Sequence, residues 1–221
     1  MNGYSEIKSE ILAAGIALLK KNLVTGTWGN LSSRVPESDL LAITPSGRDY
    51  RKLQNDDIVI VDRNGLTVQG HLKPSSELPL HLAIYKARQD VQAIVHTHSV
   101  FASACAVARR AIPPIIEDLV QVTGGSVEVA EYALPGTAEL ARNVVTALGN
   151  RSAALLANHG VVCCARSVTE AMTACELVEK AAEIYLYAQQ LGGAVALNQQ
   201  DVATMHEFYV KHYRKLQGDD E

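Results

Sequence analysis

Seven histidines occur in the chain, and three of them stand where they could hold a metal ion. His96 and His98 close the apolar run Ile94-Val95-His96-Thr97-His98-Ser99. Side chains alternate along a strand, so these two imidazoles share one face, about 7 Å apart along the backbone, while Thr97 faces the other way. His159 follows a second apolar strand and is flanked by Asn158 and Gly160. A glycine directly after a strand-end histidine lets the chain turn sharply and brings its backbone near a ligand. One His-x-His pair alone is as readily explained by packing. A third imidazole at another strand terminus points instead to one shared ion at ~2.0–2.1 Å, and three neutral histidines with a position left open describe a catalytic rather than a structural site. Zinc is the first expectation for such a set, with Mn, Co or Fe also compatible, because metal availability can outweigh ligand type. His71, His81, His206 and His212 lack comparable partners and read as surface or packing residues.

Three further segments combine Gly, Ser or Asn with turn geometry: Gly29-Asn30, Ser46-Gly47 and Ser75-Ser76. Backbone N–H groups, small hydroxyls and a helix N-terminus are what an anionic oxygen needs. Taken singly, each is no more than a turn or a cap.

The elements that must carry these residues alternate in type. Apolar residues at helical spacing from Ile7 to Leu19 predict an amphipathic helix over 5–23. A Gly-rich turn at 25–30 then leads into a strand reaching Val35. Strands are expected at Leu40–Ile43, ending in the turn signal Thr44-Pro45-Ser46-Gly47, and at Ile58–Val61, closed by the hairpin turn Asp62-Arg63-Asn64-Gly65. A helix starts at Pro74-Ser75-Ser76-Glu77, with Ser76 as N-cap and Pro79 in its first turn, and runs to about Arg88. Val91–His98 is a strand, and Ser99 to about Val107 a helix. The segment 112–122 is apolar but interrupted by Pro113-Pro114. A helix over 137–148, strands at Ala153–Leu156 and Val161–Cys164, a long helix over 168–191 and a last one over 200–215 complete a mixed α/β pattern. Connections are short and no repeat or linker is visible, which reads as one domain over 1–221.

Composition excludes several classes. Apolar residues make up 48% and charged residues 20%, and the net charge is −4, so the basic footprint of a nucleic-acid binder is missing. No apolar run approaches the ~20 residues that span a bilayer, and Met1 to Glu10 lack the apolar stretch of a signal peptide. Cys105, Cys163, Cys164 and Cys175 form no CxxC pair, and the adjacent Cys163 and Cys164 would alternate faces on a strand. They read as reduced core thiols, which places the chain in the cytoplasm.

The chain resembles the class II aldolase/adducin family, in particular its L-fuculose-1-phosphate aldolase-like branch. Five strings carry the resemblance, in the family's order and spacing: Gly26-Thr27-Trp28-Gly29-Asn30-Leu31-Ser32, Ile43-Thr44-Pro45-Ser46-Gly47, Pro74-Ser75-Ser76-Glu77, His96-Thr97-His98-Ser99 and Asn158-His159-Gly160. The resemblance implies a three-layer α/β/α fold around a mostly antiparallel sheet, and a homotetramer with active sites at subunit interfaces. It implies metal binding by His96, His98, His159 and Glu77, with Glu77 becoming the base once substrate displaces it. It also implies a phosphate cradle of Gly29, Asn30, Ser46, Gly47, Ser75 and Ser76. One departure stands out. The fuculose enzyme supplies a tyrosine proton donor from the neighbouring subunit, and Glu117 occupies the aligned position here, which makes it a candidate acid in its place. Tyr209 or Tyr213 could also reach an active site, although packing roles in the last helix suit them better.

The implied activity is cleavage of a ketose 1-phosphate, such as fuculose 1-phosphate or 5-deoxyribulose 1-phosphate, to dihydroxyacetone phosphate and an aldehyde. A divalent ion would stabilise the negative charge left when the C–C bond breaks. Three neutral ligands preserve its full charge, which is a reason for Glu77 to be displaceable. For Glu77 to act on carbon, its pKa should be raised by its apolar, crowded surroundings. Two relatives of the fold compete, a methylthioribulose-1-phosphate dehydratase and a ribulose-5-phosphate 4-epimerase. The Ser-Ser-Glu string, and Glu rather than Asp at position 77, favour an aldolase over them. A scaffold like the adducin head would lack the three histidines.

Overall fold

The structure, a computed structural model, describes residues 4–214. The eight strands found there are β1 (Asn30–Arg34), β2 (Leu41–Ile43), β3 (Val59–Val61), β4 (Thr67–Gln69), β5 (Ala93–Thr97), β6 (Glu128–Ala130), β7 (Ala153–Leu156) and β8 (Gly160–Ala165). They form one sheet in the order β4-β3-β2-β1-β5-β8-β7-β6. Every neighbouring pair is antiparallel except β6–β7. The helices are α1 (Ser5–Lys20), α2 (Leu78–Ala87), α3 (Val100–Val107), α4 (Glu117–Thr123), α5 (Ala138–Leu148), α6 (Val168–Gln190) and α7 (Gln199–Phe208).

The central strands are apolar runs because both of their faces are buried. Along β5, β7 and β8 successive side chains enter opposite cores. Ala93, Val95, Ala153, Leu155, Val161 and Cys163 join the core beneath α1, α3 and α6. Ile94, Ala154, Leu156, Val162 and Cys164 join the core beneath α2 and α5. The result is the three-layer α/β/α arrangement expected for the class II aldolase fold, with a mostly antiparallel sheet in the middle. All four cysteines are free and buried, and Cys163 and Cys164 do face opposite cores.

Several local expectations are revised. Helix α1 stops at Lys20, and the last helix gives way to a π-helical turn at Tyr209–Tyr213; residue 215, its expected end, lies outside the described residues. The 112–122 segment contains α4, which begins at Glu117 once the two prolines have passed. The short parallel edge strand β6 carries too little pattern to be read from sequence. Ser76 is not the cap of α2. Glu77 takes the N-cap position, and its N–H donates to the Ser75 hydroxyl at 3.2 Å.

The junction that matters most lies between the ends of β5 and β8. A Cβ on Gly160 would sit 2.3 Å from the Thr97 carbonyl oxygen and 3.1 Å from His98 Cδ2. The sharp turn itself is taken by Asn158, at φ 54°, a conformation that Asn tolerates. Gly160 is therefore needed for close backbone approach, which brings the ends of the two His-bearing strands together. Substituting Gly160→Ala should cost about 1–3 kcal/mol, the range for overpacking, and should weaken divalent-ion binding by splaying His98 from His159. Denaturation midpoints and metal content of the purified variant check this; unchanged metal content would contradict it.

Candidate metal centre

Register brings the site together. In the β1–β5 ladder Asn30 lies opposite His96, and in the β5–β8 ladder His96 lies opposite Val162. His96 shares its sheet face with Ile94, the face covered by α2, whose N-cap is Glu77. The three imidazoles converge through their Nε2 atoms. His96 Nε2 is 2.9 Å from His98 Nε2 and 3.3 Å from His159 Nε2. The Glu77 carboxylate completes the group, 3.1 Å from His96 Nε2 and 3.5 Å from His159 Nε2.

The donor set fits a divalent ion. His96 Nδ1–H donates to the Val161 carbonyl at 2.9 Å, so the Nε2 of a neutral His96 is a bare lone pair aimed into the cluster. One ligand atom from each of the four residues lies within 4.8 Å of all the others. A tetrahedral ion with bonds of ~2.0–2.1 Å spaces its ligands about 3.3 Å apart, close to the separations found here. Glu77 Oε1 and His159 Nδ1 are buried without a hydrogen-bond partner.

Electrostatics prepare the ligands. Burial lowers the His98 pKa to about 3, helped by the charge of His96 and then His159. His159 falls to about 4 through burial and His96. Both are thus neutral and metal-competent at physiological pH. Burial also opposes charge on His96, but the Glu77 carboxylate outweighs it and raises that pKa above its ordinary value. Burial alone would push Glu77 up. The charge and hydrogen bond of His96, then His159 and the Asn30 amide, hold it well below the usual carboxylate range. The expectation of a raised Glu77 pKa is therefore not met in this arrangement, because the interaction with His96, 3.1 Å away, leads the effects that together outweigh burial.

Glu77, His98 and His159 line a cleft of about 370 Å³, with His96 fully buried, and Gly29, Asn30, Ser46, Gly47, Ser75 and Ser76 line it too, so all six expected cradle residues open onto it. The loops that carry them are tied down. Ser46 N–H donates to Lys73 O and Ser75 N–H to Thr44 O, each at 3.0 Å. The buried Tyr50 donates to Gly29 O at 2.9 Å. Gly29 itself needs to be glycine, since at φ 103° a Cβ would lie 2.9 Å from His96 O. Asn30 is more engaged than the cradle role requires, because its Nδ2 donates to Glu77 Oε2 at 2.8 Å.

Four contributors were given no role by the sequence patterns. Thr27, Trp28 and Pro135 line the cleft, and the Trp28 indole, 65% exposed, stacks loosely on His98 at 6.1 Å. Glu179 of α6 caps α3, its two oxygens accepting from Phe101 N–H and Ala102 N–H at 2.9 Å each, and so anchors the turn after His98. Among the histidines read as surface or packing residues, His71 is exposed beside Asp57 and His206 contacts Gln121 O, whereas His81 is completely buried and bonded to Asn30. Glu117 does not line the metal cleft of its own chain; it opens a shallow hollow with Leu197, Asp201, Thr204 and Met205. Tyr209 is buried with its hydroxyl donating to Glu170, and Tyr213 packs beside it; neither lines the cleft.

The chain is similar to known proteins over most of its length. The profile described as Class II Aldolase and Adducin N-terminal domain matches residues 9–186. A 5-deoxy-D-ribulose 1-phosphate aldolase of Bacillus thuringiensis serovar kurstaki is 37% identical over 84% of this chain and 86% of its own length. An L-fuculose phosphate aldolase of Escherichia coli K12 is 35% identical over 92% of this chain and 94% of its own. A solved structure of an L-fuculose 1-phosphate aldolase superposes with a TM-score of 0.90, at 40% identity, over 93% of this chain and 97% of that one.

Metal uptake displaces protons from ligands that hold them. With His98 and His159 already neutral, ion binding near pH 7 should release no more than one proton, the one His96 can hold, rather than three. Affinity should accordingly rise with pH until His96 is deprotonated. Titration calorimetry in buffers of different ionisation enthalpy counts the protons; release of three would contradict the assignment.

Proposed function

The chain belongs to the class II aldolase and adducin family, and from that premise we propose that it cleaves a ketose 1-phosphate to dihydroxyacetone phosphate and a short aldehyde. The observation that carries the proposal is the convergence of His96, His98, His159 and Glu77, three of which (Glu77, His98 and His159) line a cleft shared with the three Gly/Ser/Asn loops. The aldolase relatives named for 5-deoxyribulose 1-phosphate and fuculose phosphate support the substrate class, and the chain is accordingly an enzyme of the carbon–carbon lyase kind.

In this reading the phosphate rests on the hydroxyls of Ser46, Ser75 and Ser76 and on the Gly29-Asn30 and Gly47 backbone, at the N-terminal end of α2, where helix geometry favours an anion. Asn30 keeps a second Nδ2–H for the cleft, since an amide nitrogen carries two donors. Holding the unreactive end fixes the register of the reacting carbons. A divalent ion held by His96, His98 and His159 would supply Lewis-acid stabilisation of the negative charge that develops on substrate oxygen. Glu77 moves the proton at carbon. As the C–C bond breaks, the hydroxyl on its far side gives up its proton and becomes the aldehyde carbonyl, the bond's electron pair passes to the carbon beside the ketone, and Glu77 delivers a proton to that carbon. In the synthetic direction the carboxylate removes that proton.

We further propose zinc as the resident ion, a cytoplasmic setting, and a homotetramer in which Glu117 reaches a neighbour's cleft, accepting the hydroxyl proton of the aldehyde half in cleavage and returning it as the acid in synthesis. The family resemblance supports the tetramer. So do the exposed Val100, next to the His98 turn, and Leu134, beside the cleft residue Pro135.

The test is a panel of ketose 1-phosphates assayed for dihydroxyacetone phosphate, with and without chelator. Release from 5-deoxyribulose or fuculose 1-phosphate, abolished by chelation and restored by zinc, is the expected result. Loss of water from methylthioribulose 1-phosphate, with no triose phosphate formed from any substrate, would overturn it. Replacing Glu77→Gln should keep the ion bound while lowering kcat by ~10²–10⁴-fold, the usual worth of a general base; a variant that turns over normally would remove Glu77 from the proton transfer.

A further inference from the structure

Behind the metal centre, α2 and β1 are joined by a polar zipper that the proposed reaction does not by itself require. On α2, Glu77, His81 and Tyr85 recur every four residues; on β1, Asn30, Ser32 and Arg34 recur every two. Four helical residues rise about 6 Å and two strand residues about 6.6 Å, so the two stripes stay in step over three pairs. The contacts alternate between them. Asn30 Nδ2 meets Glu77 Oε2 at 2.8 Å, and Asn30 Oδ1 meets His81 Nε2 at 2.6 Å. His81 Nδ1 meets Ser32 Oγ at 2.6 Å, and Ser32 Oγ meets the Tyr85 hydroxyl at 2.9 Å. Arg34 closes the series, its guanidinium 4.7 Å from the centre of the Tyr85 ring and donating to Tyr85 O at 2.8 Å.

Every donor in this series has one possible direction. The Glu77 carboxylate only accepts, so Asn30 must present its NH₂ to Glu77 and its carbonyl to His81. His81 must then carry its proton on Nε2 and accept at Nδ1. Ser32 must donate to Nδ1, and Tyr85 to Ser32. A neutral imidazole, one donor and one acceptor on opposite sides, is the group that can transmit this polarity. Complete burial keeps His81 neutral, with a pKa of about 3, against the opposing pull of Glu77 and in concert with the charge of His96. The amide of Asn30 interrupts any proton wire, so the series orients groups and does not conduct protons.

We propose that His81 is a positioning residue that fixes the orientation of the Asn30 amide and, through it, the metal-facing carboxylate of Glu77. The proposal rests on the metal-site reading above. Outer partners of metal ligands typically contribute 10–100-fold in affinity, and His81 acts at one remove, through Asn30.

Cobalt(II) binding to the metal-free protein tests it without reference to aldol cleavage. The His81→Leu variant should bind cobalt about tenfold more weakly and show altered visible bands. The His81→Gln variant, whose amide can still donate to Asn30, should recover most of the affinity. In a Glu77→Gln background His81→Leu should have no further effect, because the route runs through the carboxylate. An equal loss in both backgrounds, or none in either, would overturn the proposal. If the wild-type protein takes up no cobalt, the metal-site reading fails instead. Should His81→Leu not fold, Ser32→Ala replaces it: it removes the donor to Nδ1 and should give a smaller loss that also vanishes in the Glu77→Gln background.

Discussion

Four electron-rich atoms brought within 4.8 Å of one another repel each other unless a cation or shared protons lie among them, and the local structure is arranged to hold them there. Each comes from a different support. His96 is fixed by the β1–β5–β8 register and by its bond to Val161 O. His98 lies one residue past β5, on a turn anchored by Glu179. His159 sits in the β7–β8 turn, and Glu77 at the start of α2. The Glu77 carboxylate favours a proton on His96 and His96 in turn favours the ionised carboxylate, while His98 and His159 stay neutral.

Much of this was legible in the residues. Period-two spacing placed His96 and His98 on one face, and the strand-end position of His159 made it a partner, because strand alternation is set by backbone geometry and survives any tertiary context. The central strands and the helices over 78–87, 100–107, 138–148 and 168–190 were readable for a similar reason, since continuous apolar runs or helical periodicity span them. What escaped notice depends on long-range packing. α4 begins only after Pro113-Pro114, β6 pairs over three residues, and the Glu77 N-cap displaces Ser76 because Ser75 supplies the accepting hydroxyl. Gly160 was assigned to the turn, whereas Asn158 makes the turn and Gly160 admits the Thr97 carbonyl. Glu77 was expected to have a raised pKa on grounds of burial; the nearness of His96 could be known only from coordinates.

His81 illustrates the limit most clearly. Alone on a helix, with no histidine or cysteine near it in sequence, it offers no metal-ligand spacing. Its role appears only when the four-residue step of α2 is laid against the two-residue step of β1. The same match of rises explains why β1 carries Asn30 and Ser32 on a face that its neighbour β5 fills with Ile94. A strand evolved for stability alone would be apolar there, since a buried polar group contributes little even when it is fully bonded.

The distribution of unpaired atoms supports this division between structure and site. Asn30, Ser32, His81 and Tyr85 are buried, and each finds hydrogen-bond partners. Buried side-chain atoms without a partner include Glu77 Oε1 and His159 Nδ1 on two of the metal-binding residues, while the others, on Gln69, Thr97, Ser99, Ser103, Arg151 and Arg214, belong to residues outside that set. Leaving such groups unpaired costs about 1–3 kcal/mol each, and native structures retain few of them. The polar atoms leading up to the centre are matched within the protein, and at the centre Glu77 Oε1 is left short of a partner, as expected of an oxygen that a bound cation would engage.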